Sequence, residues 1–594
     1  MTYENRADIP VRYTWNLTDI YAADKDFYAD IESVESQISQ IAKFKGNLNT
    51  DQTILECYKF LTSLNKPLTK AACYASLKTS EDNKNTDYQA MEEAVTRVFF
   101  KLDEACSFFE PELTALSAER LNAMLNDKKF EDYTVSLRRI IASKAHVLSA
   151  EEEEIMTGAG DVARYFHETF TRLNSGDLEF GTIETEGKTI PLTHGTYSMF
   201  LNNPDQNVRR EAFEKMYAAF KKYINTICGL YNGSVKYDCF TAKTRKFDSA
   251  LQKALFYEEV DKKVYTNLID SINANLEPLH DYMALRKKVL GLETLNMYDL
   301  FIPMFKNTGL ALEFDDAFKL VKEGLAPLGA DYQQLLQTAY DNRWMDVYEN
   351  KGKTTGAYSL GVTGVHPFVL LNYQKTTHDV FTIAHELGHS MHSYFSGKNQ
   401  PFEKESYTIF VAEVASTTNE VLLLKYLLAK EKDQNVRKYL LSYFLDMIRT
   451  TFYRQAMFAE FEGISHNMVE KGLPFNYETL SKEYYALNKK YYGDAICHNE
   501  EIRYEWARIP HFYRGFYVYK YATGITCAVN IANKILKEGA PAVENYKKFL
   551  STGCSMDPVS ELQIAGADLT TTEPFRVIAE EFKSTLAQLK ELTK

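Results

Sequence analysis

Five of the twelve histidines in this 594-residue chain fall between His366 and His392. Two of them sit in the string His385-Glu386-Leu387-Gly388-His389, an HExxH pattern. Histidines four apart on a helix share a face one turn apart, so both imidazoles can reach a single zinc ion at about 2.0–2.1 Å. Glu386, directly after the first ligand, is then placed to act as a base on water at the metal rather than to bind it. His378 and His392 approach the same face but each lies seven residues from His385. That spacing is about 10.5 Å along a helix, whereas ligands of one zinc stand about 3–4 Å apart. Neither can share the ion with His385. His392 reads as a structural histidine near the helix end, with a supporting role behind a ligand as the alternative.

A third ligand is needed. The metzincin arrangement would require glycine at 392 and histidine at 395, and the chain has His392 and Phe395. Downstream, residues 408–424 form a strongly apolar helical stretch with Glu413 between Ala412 and Val414. An ionised carboxylate in such surroundings needs a positive partner, so Glu413 reads as the third ligand, with a buried salt bridge as the structural alternative. Glu420 lies seven residues on, on the same face, where it can accept the N–H of a ligand imidazole and fix its tautomer. Glu403 and Glu405, in a loop near Pro401, are the competing ligands.

The chain holds 40 Tyr and 36 Phe but only 3 Trp. One concentration is residues 509–524, where Tyr513, Tyr517, Tyr519 and Tyr521 crowd around His511, with Arg503, Arg508 and Arg514 nearby. Most of these rings read as core. Amide hydrolysis also needs donors for the oxyanion that forms when water attacks, and a phenol or an imidazole N–H suits that task. Spacing alone does not choose among them.

The elements that must position these groups are mostly helical. Thr376 with Asp379 suits an N-cap and Gly397 a C-terminal stop, which predicts a helix of about five turns carrying the histidines. Residues 24–44, 52–78, 87–109, 208–222 and 261–289 show apolar residues at helical spacing. Strand signals are confined to residues 178–192, a hairpin turning at Glu186-Gly187, and to residues 358–373. A division near residue 200, after the hairpin, separates an expected helical lobe, 1–200, from an expected catalytic lobe, 201–594. The 68 basic and 81 acidic residues leave a formal charge of −13, a poor match to phosphate backbones, so no nucleic-acid partner is expected. The start, MTYENRADIP, lacks the basic and apolar regions of a signal peptide, and no apolar run is long enough to span a bilayer. Eight scattered cysteines without a CxxC pair read as reduced thiols, so no membrane partner and a cytoplasmic location are expected.

Together these residues resemble the thimet oligopeptidase group of zinc peptidases, and within it the oligoendopeptidase F family of bacteria. His385 to His392 resembles the family's HExGHxxH, with Leu387 where many members have Phe. Glu413-Val414-Ala415-Ser416 with Glu420 resembles its third-ligand helix, and Phe516-Tyr517-Val518-Tyr519, preceded by His511, its tyrosine motif. The opening Arg12-Tyr13-Thr14-Trp15 and the tail Ala565-Gly566-Ala567-Asp568 resemble it as well, so the similarity runs end to end. His511 lies nearer its tyrosines than in the thimet-type relatives. The resemblance implies a mainly α, two-lobed zincin-type oligopeptidase with a deep channel and a small β-sheet near the active site. It implies one Zn²⁺ per chain on His385, His389 and Glu413, with Glu386 as general base. His511 and Tyr519, with Tyr517 as the alternative, would stabilise the oxyanion. Gly356, Ala357 and Tyr358 would contact substrate backbone along an edge strand. The implied substrates are short unfolded oligopeptides. The alternatives are a dipeptidyl carboxypeptidase or carboxypeptidase on the same zinc, using one of the arginines to capture a C-terminal carboxylate, and a non-catalytic helical peptide-binding protein.

Overall fold

The computed structural model describes residues 2–306 and 310–594, and these are mainly α with three small sheets. They divide into two compact units, each assembled from three stretches of chain. The first takes Met1–Ala145, Gly309–Tyr426 and Ile531–Ala567, and the second His146–Thr308, Leu427–Asn530 and Asp568–Lys594. The division expected near residue 200 is therefore corrected. Turn chemistry marks where the chain changes direction, and it is blind to where later segments return to complete a core.

In the first unit, helices Asp24–Gln37, Asp51–Glu81 and Thr86–Cys106 bury a common apolar core. The longest starts on a reciprocal cap: Thr50 Oγ1 accepts the Thr53 N–H at 3.1 Å and Thr53 Oγ1 accepts the Thr50 N–H at 3.2 Å. A three-stranded sheet joins this core, in the order Met345–Asp346, Phe368–Leu370, Tyr358–Leu360. The first pair is parallel (Met345↔Val369) and the second antiparallel (Ser359↔Val369). Side chains alternate across a strand. Phe368 and Leu370, with Tyr358 and Leu360 opposite them, enter the helical core. Ser359 faces the other way, and its hydroxyl lies 2.8 Å from that of Ser390 on the HExxH helix. The sheet is thus held between the N-terminal helices and the helix that carries the motif. Its strand Met345–Asp346 is only two residues long, too short to show a period in the sequence.

In the second unit, helix Ile224–Thr244 packs against Ala150–Arg172 and Arg454–Glu470, and Gln434–Ile448 packs against Glu573–Leu592. The expected hairpin is present as Thr182–Thr185 paired with Lys188–Pro191. Its turn residues Glu186 and Gly187 have φ of 51° and 72°, the left-handed pair that a tight two-residue hairpin requires. The single helix expected over 261–289 is two, Lys262–Asn273 and Glu277–Val289. Pro278 lacks an N–H and its ring would meet the carbonyl of Ala274, so the first helix ends before it.

Candidate metal centre

The motif helix runs Thr377–Asn399. Thr376 caps it as expected: its Oγ1 accepts the Asp379 N–H at 3.2 Å, while its own N–H and hydroxyl donate to Asp379 Oδ2 at 2.8 and 2.7 Å. Gly397 does not stop it. That glycine has no left-handed φ, and the helix continues to Asn399, ahead of Pro401. Val380, Phe381, Ile383, Ala384, Leu387 and Met391 are buried and fix the rotation of the helix about its axis.

Helix Ile409–Lys430 crosses it closely. A Cβ on Gly388 would stand 2.5 Å from Ser416 Cα and 2.7 Å from the Ala415 carbonyl oxygen, so only glycine permits this approach. Asn419 Nδ2 donates to the Ala384 carbonyl at 3.0 Å and ties the same crossing.

The crossing brings His385, His389 and Glu413 together. One donor atom from each lies within 4.8 Å of the others. Glu413 Oε2 is 3.2 Å from His385 Nε2 and 3.5 Å from His389 Nε2. Ligand atoms about 2.0–2.2 Å from one tetrahedral ion stand roughly 3.4 Å from each other, so two imidazoles and a carboxylate with this spacing fit zinc. Behind them, His385 Nδ1 is 2.6 Å from Glu420 Oε1, which leaves Nε2 facing the cluster. Ser416 Oγ donates to Glu413 Oε2 at 3.0 Å. Burial pulls the His385 pKa down, but hydrogen bonds to Glu413 and Glu420 outweigh it and hold the ring well above the ordinary imidazole value. Burial likewise raises Glu413, and its bonds to His385 and His389 reverse that, holding the carboxyl far below the usual carboxylate range. Glu413 is thus attracted to both imidazoles even as side chains alone.

Glu386 lies outside the ligand cluster. It is 6% exposed, and its Oε2 is buried without a hydrogen-bond partner among the described residues. Burial, with smaller contributions from Glu413 and Glu420, raises its pKa against the opposing pull of the two histidines. Glu403 and Glu405 do not join the cluster; they accept the hydroxyls of Thr62 and Thr363. His392 is fully buried with neither ring nitrogen bonded among the described residues, stacked on Tyr407 at 3.7 Å and 3°. Burial and then the nearby His389 bring its pKa down to about 3.

Gly356, Ala357 and Tyr358 lead into and begin the edge strand Tyr358–Leu360. Gly356 has φ of 83°, and its carbonyl accepts Asn372 Nδ2 at 2.8 Å, which fixes the approach to the strand.

In the second unit, His511 gathers two tyrosines, and Tyr519 is not one of them. The His511 ring is stacked with Tyr517 at 5.9 Å, and its Nε2 is 3.4 Å from the Tyr521 hydroxyl. Tyr519 is fully buried and donates to Glu258 Oε2 at 2.9 Å. Burial, then Arg514, lowers the His511 pKa below the ordinary imidazole value and favours the neutral ring. The chain reverses just before these tyrosines, where Phe516 has φ of 57° and its N–H donates to Glu462 Oε1 at 2.6 Å. Tyr521 was visible in the crowd of tyrosines, but the left-handed residue that decides which ring meets His511 carries no local sequence signal.

The sequence profile of peptidase family M3 matches residues 199–580, and that of Oligopeptidase F matches residues 112–180. The chain is 38% identical over 591 residues to Oligopeptidase PepF of Bacillus subtilis, covering 99% of this chain and 88% of that protein. A crystal structure from Chlamydophila abortus superposes with a TM-score of 0.94 at 33% identity, covering 99% of this chain and 100% of that one. The crystal structure of oligoendopeptidase-F from Enterococcus faecium gives 0.74 at 35% identity, covering 96% and 99%.

Proposed function

The chain belongs to peptidase family M3, and on that premise we propose that it is a zinc-dependent endopeptidase that hydrolyses short unfolded oligopeptides. The observation that carries this reading is the set of three donor atoms on two crossing helices, with an uncommitted carboxylate, Glu386, on the same helix as the histidines. His385 Nε2, His389 Nε2 and a Glu413 oxygen would hold one zinc ion, which when bound would polarise the scissile carbonyl and make water a nucleophile near neutral pH. Glu420 keeps the proton of His385 on Nδ1, so that Nε2 offers its lone pair to the cluster. Ser416 holds Glu413 in one rotamer. Glu386 takes a proton from the attacking water on its carboxylate and delivers it to the leaving amine nitrogen. Its raised pKa suits a group that must both accept and release a proton.

Substrate backbone adds to the free side of Tyr358–Leu360 as a further strand, with Gly356, Ala357 and Tyr358 supplying its contacts. Neutral His511, with Tyr517 or Tyr521, donates hydrogen bonds to the oxyanion; for His511 and Tyr517 this role rests on the resemblance, which also offered Tyr519, and for Tyr521 on its contact with the His511 ring. A cytoplasmic location agrees with eight cysteines that are all free thiols. No helix among the described residues is long and apolar enough to cross a membrane.

A quenched fluorescent peptide, blocked at both ends, tests the reading. Cleavage is expected, with loss on chelation and return on adding zinc. Glu386→Gln should keep stoichiometric zinc while turnover falls by about 10²–10⁴-fold. Cleavage confined to peptides with a free C-terminus would instead favour a carboxypeptidase mode. Zinc retention with no cleavage of any peptide would leave only peptide binding.

A further inference from the structure

Within the second unit, a small cavity has more positive charge in its wall than the chain neutralises. Its charged lining is Arg449, Arg454, Arg508 and Glu505. Arg449 and Arg454 are five residues apart, which on a regular α-helix would turn them to different faces. Here Arg449–Tyr453 is a single π-helical turn, with Arg454 directly after it, and both guanidinia reach the same cavity. Such turns are rare and recur at functional sites.

The counter-charges are already committed. Glu505 accepts Arg454 Nη2 at 2.6 Å and also the Tyr484 hydroxyl. Asp446 is shared, taking Arg449 Nε at 2.8 Å and Arg286 Nη1 at 3.1 Å. Four arginines (286, 449, 454, 508) therefore face two carboxylates (446, 505), an excess of two positive charges. Arg449 is 2% exposed, yet its Nη1 has no hydrogen-bond partner among the described residues. Among the described residues Arg508 makes no ion pair within 4.0 Å; it donates to the Tyr217 hydroxyl at 3.4 Å, and its guanidinium lies 4.8 Å over the Tyr197 ring. A guanidinium cannot shed its proton to relieve the excess, as a lysine could. The lining phenols do not supply the missing charge either, since burial pushes Tyr197, Tyr217 and Tyr492 above the ordinary phenol range. The cavity leaves about 20 Å³ for the centre of a water-sized sphere, room for a water or a small inorganic anion. A water would fill the space without meeting the charge.

We propose that this cavity binds a single inorganic anion of chloride size, held by Arg449, Arg454 and Arg508. The site is independent of the peptidase reading, and its test uses binding alone. Thermal unfolding of the full chain in sodium chloride and in sodium gluconate at equal ionic strength should differ. The midpoint should rise saturably with chloride or bromide, by about 2 °C or more. Arg508→Gln should abolish that rise. Crystals of the unaltered chain soaked in sodium bromide should show an anomalous peak between the three guanidinia, a measurement that stands even if the variant fails to fold. Equal midpoints in chloride and gluconate, a rise undiminished in Arg508→Gln, or a cavity holding only water in the bromide crystal would each overturn the proposal.

Discussion

Glu386 and His392 lie six residues apart on one helix, both buried, and burial acts on them in opposite directions. It raises the carboxyl of the first and depresses the imidazole of the second, because in both it disfavours the charged form. His392 therefore bears on stability. The unfolded chain takes up a proton near pH 6.5 that the folded ring refuses until about pH 3. Its contribution is thus fully present above about pH 6.5 and is lost as the pH falls towards the folded value. His392→Phe keeps a ring on Tyr407 and removes the titration. Urea unfolding at pH 7 and pH 5 should show the variant gaining about 1–2 kcal/mol on the natural chain over that interval; an unchanged difference would mean that the buried ring is charged or hydrated. A second residue-scale prediction concerns the tyrosines. Tyr517→Phe or Tyr521→Phe should lower kcat by about 10²-fold or more if its hydroxyl serves the oxyanion. Tyr519→Phe should leave kcat nearly unchanged and instead lower stability by about 1–3 kcal/mol, since it strips the donor from its bond to Glu258. A collapse of kcat in Tyr519→Phe alone would restore that residue to the reaction.

At the scale of elements, much of the candidate metal centre's geometry was legible because its information is local. HExxH works through the pitch of one helix, the Thr376–Asp379 cap through one turn, and the hairpin through two residues with positive φ. Glu413 and Glu420 were legible because a carboxylate in an apolar helix demands a partner, and His385 is that partner for both. What was not legible depends on a second element. Nothing in His385-Glu386-Leu387-Gly388-His389 announces that Gly388 is the contact point with Ser416, or that Asn419 holds Ala384. Gly397 looked like a stop and is an ordinary helical residue, because Pro401 ends the helix instead. The crossing yields a direct prediction. Gly388→Ala must push the Ile409–Lys430 helix away, since the new methyl meets backbone atoms rather than a flexible side chain. It should destabilise by about 1–3 kcal/mol and weaken zinc binding, measured by melting and by zinc competition with a chelator. Native affinity in a stable variant would show that the helices can separate without disturbing the ligands.

At the scale of the whole chain, averages conceal what local sums reveal. A formal charge of −13 coexists with a cavity whose arginines outnumber its carboxylates by two, so net charge says nothing of that site. Domain order was hidden for a similar reason: periodicity reports each helix, while a core is completed by segments hundreds of residues away. Val362, Phe368 and Leu370 belong to the core of the N-terminal helices. Arg6 donates to Glu81 at 2.7 Å and also binds Asp346, which buried Lys353 meets at 2.7 Å. A fragment of residues 1–200 would carry the first helices without this sheet. It would leave Arg6 without Asp346, and Trp15 without the Phe368 ring that it meets at 6.3 Å. It should retain helical far-ultraviolet circular dichroism but lose the near-ultraviolet signal of packed aromatics, and melt without a cooperative calorimetric transition. A sharp transition from that fragment would mean that the N-terminal helices close a core of their own, and that the later strands dock on a lobe already folded.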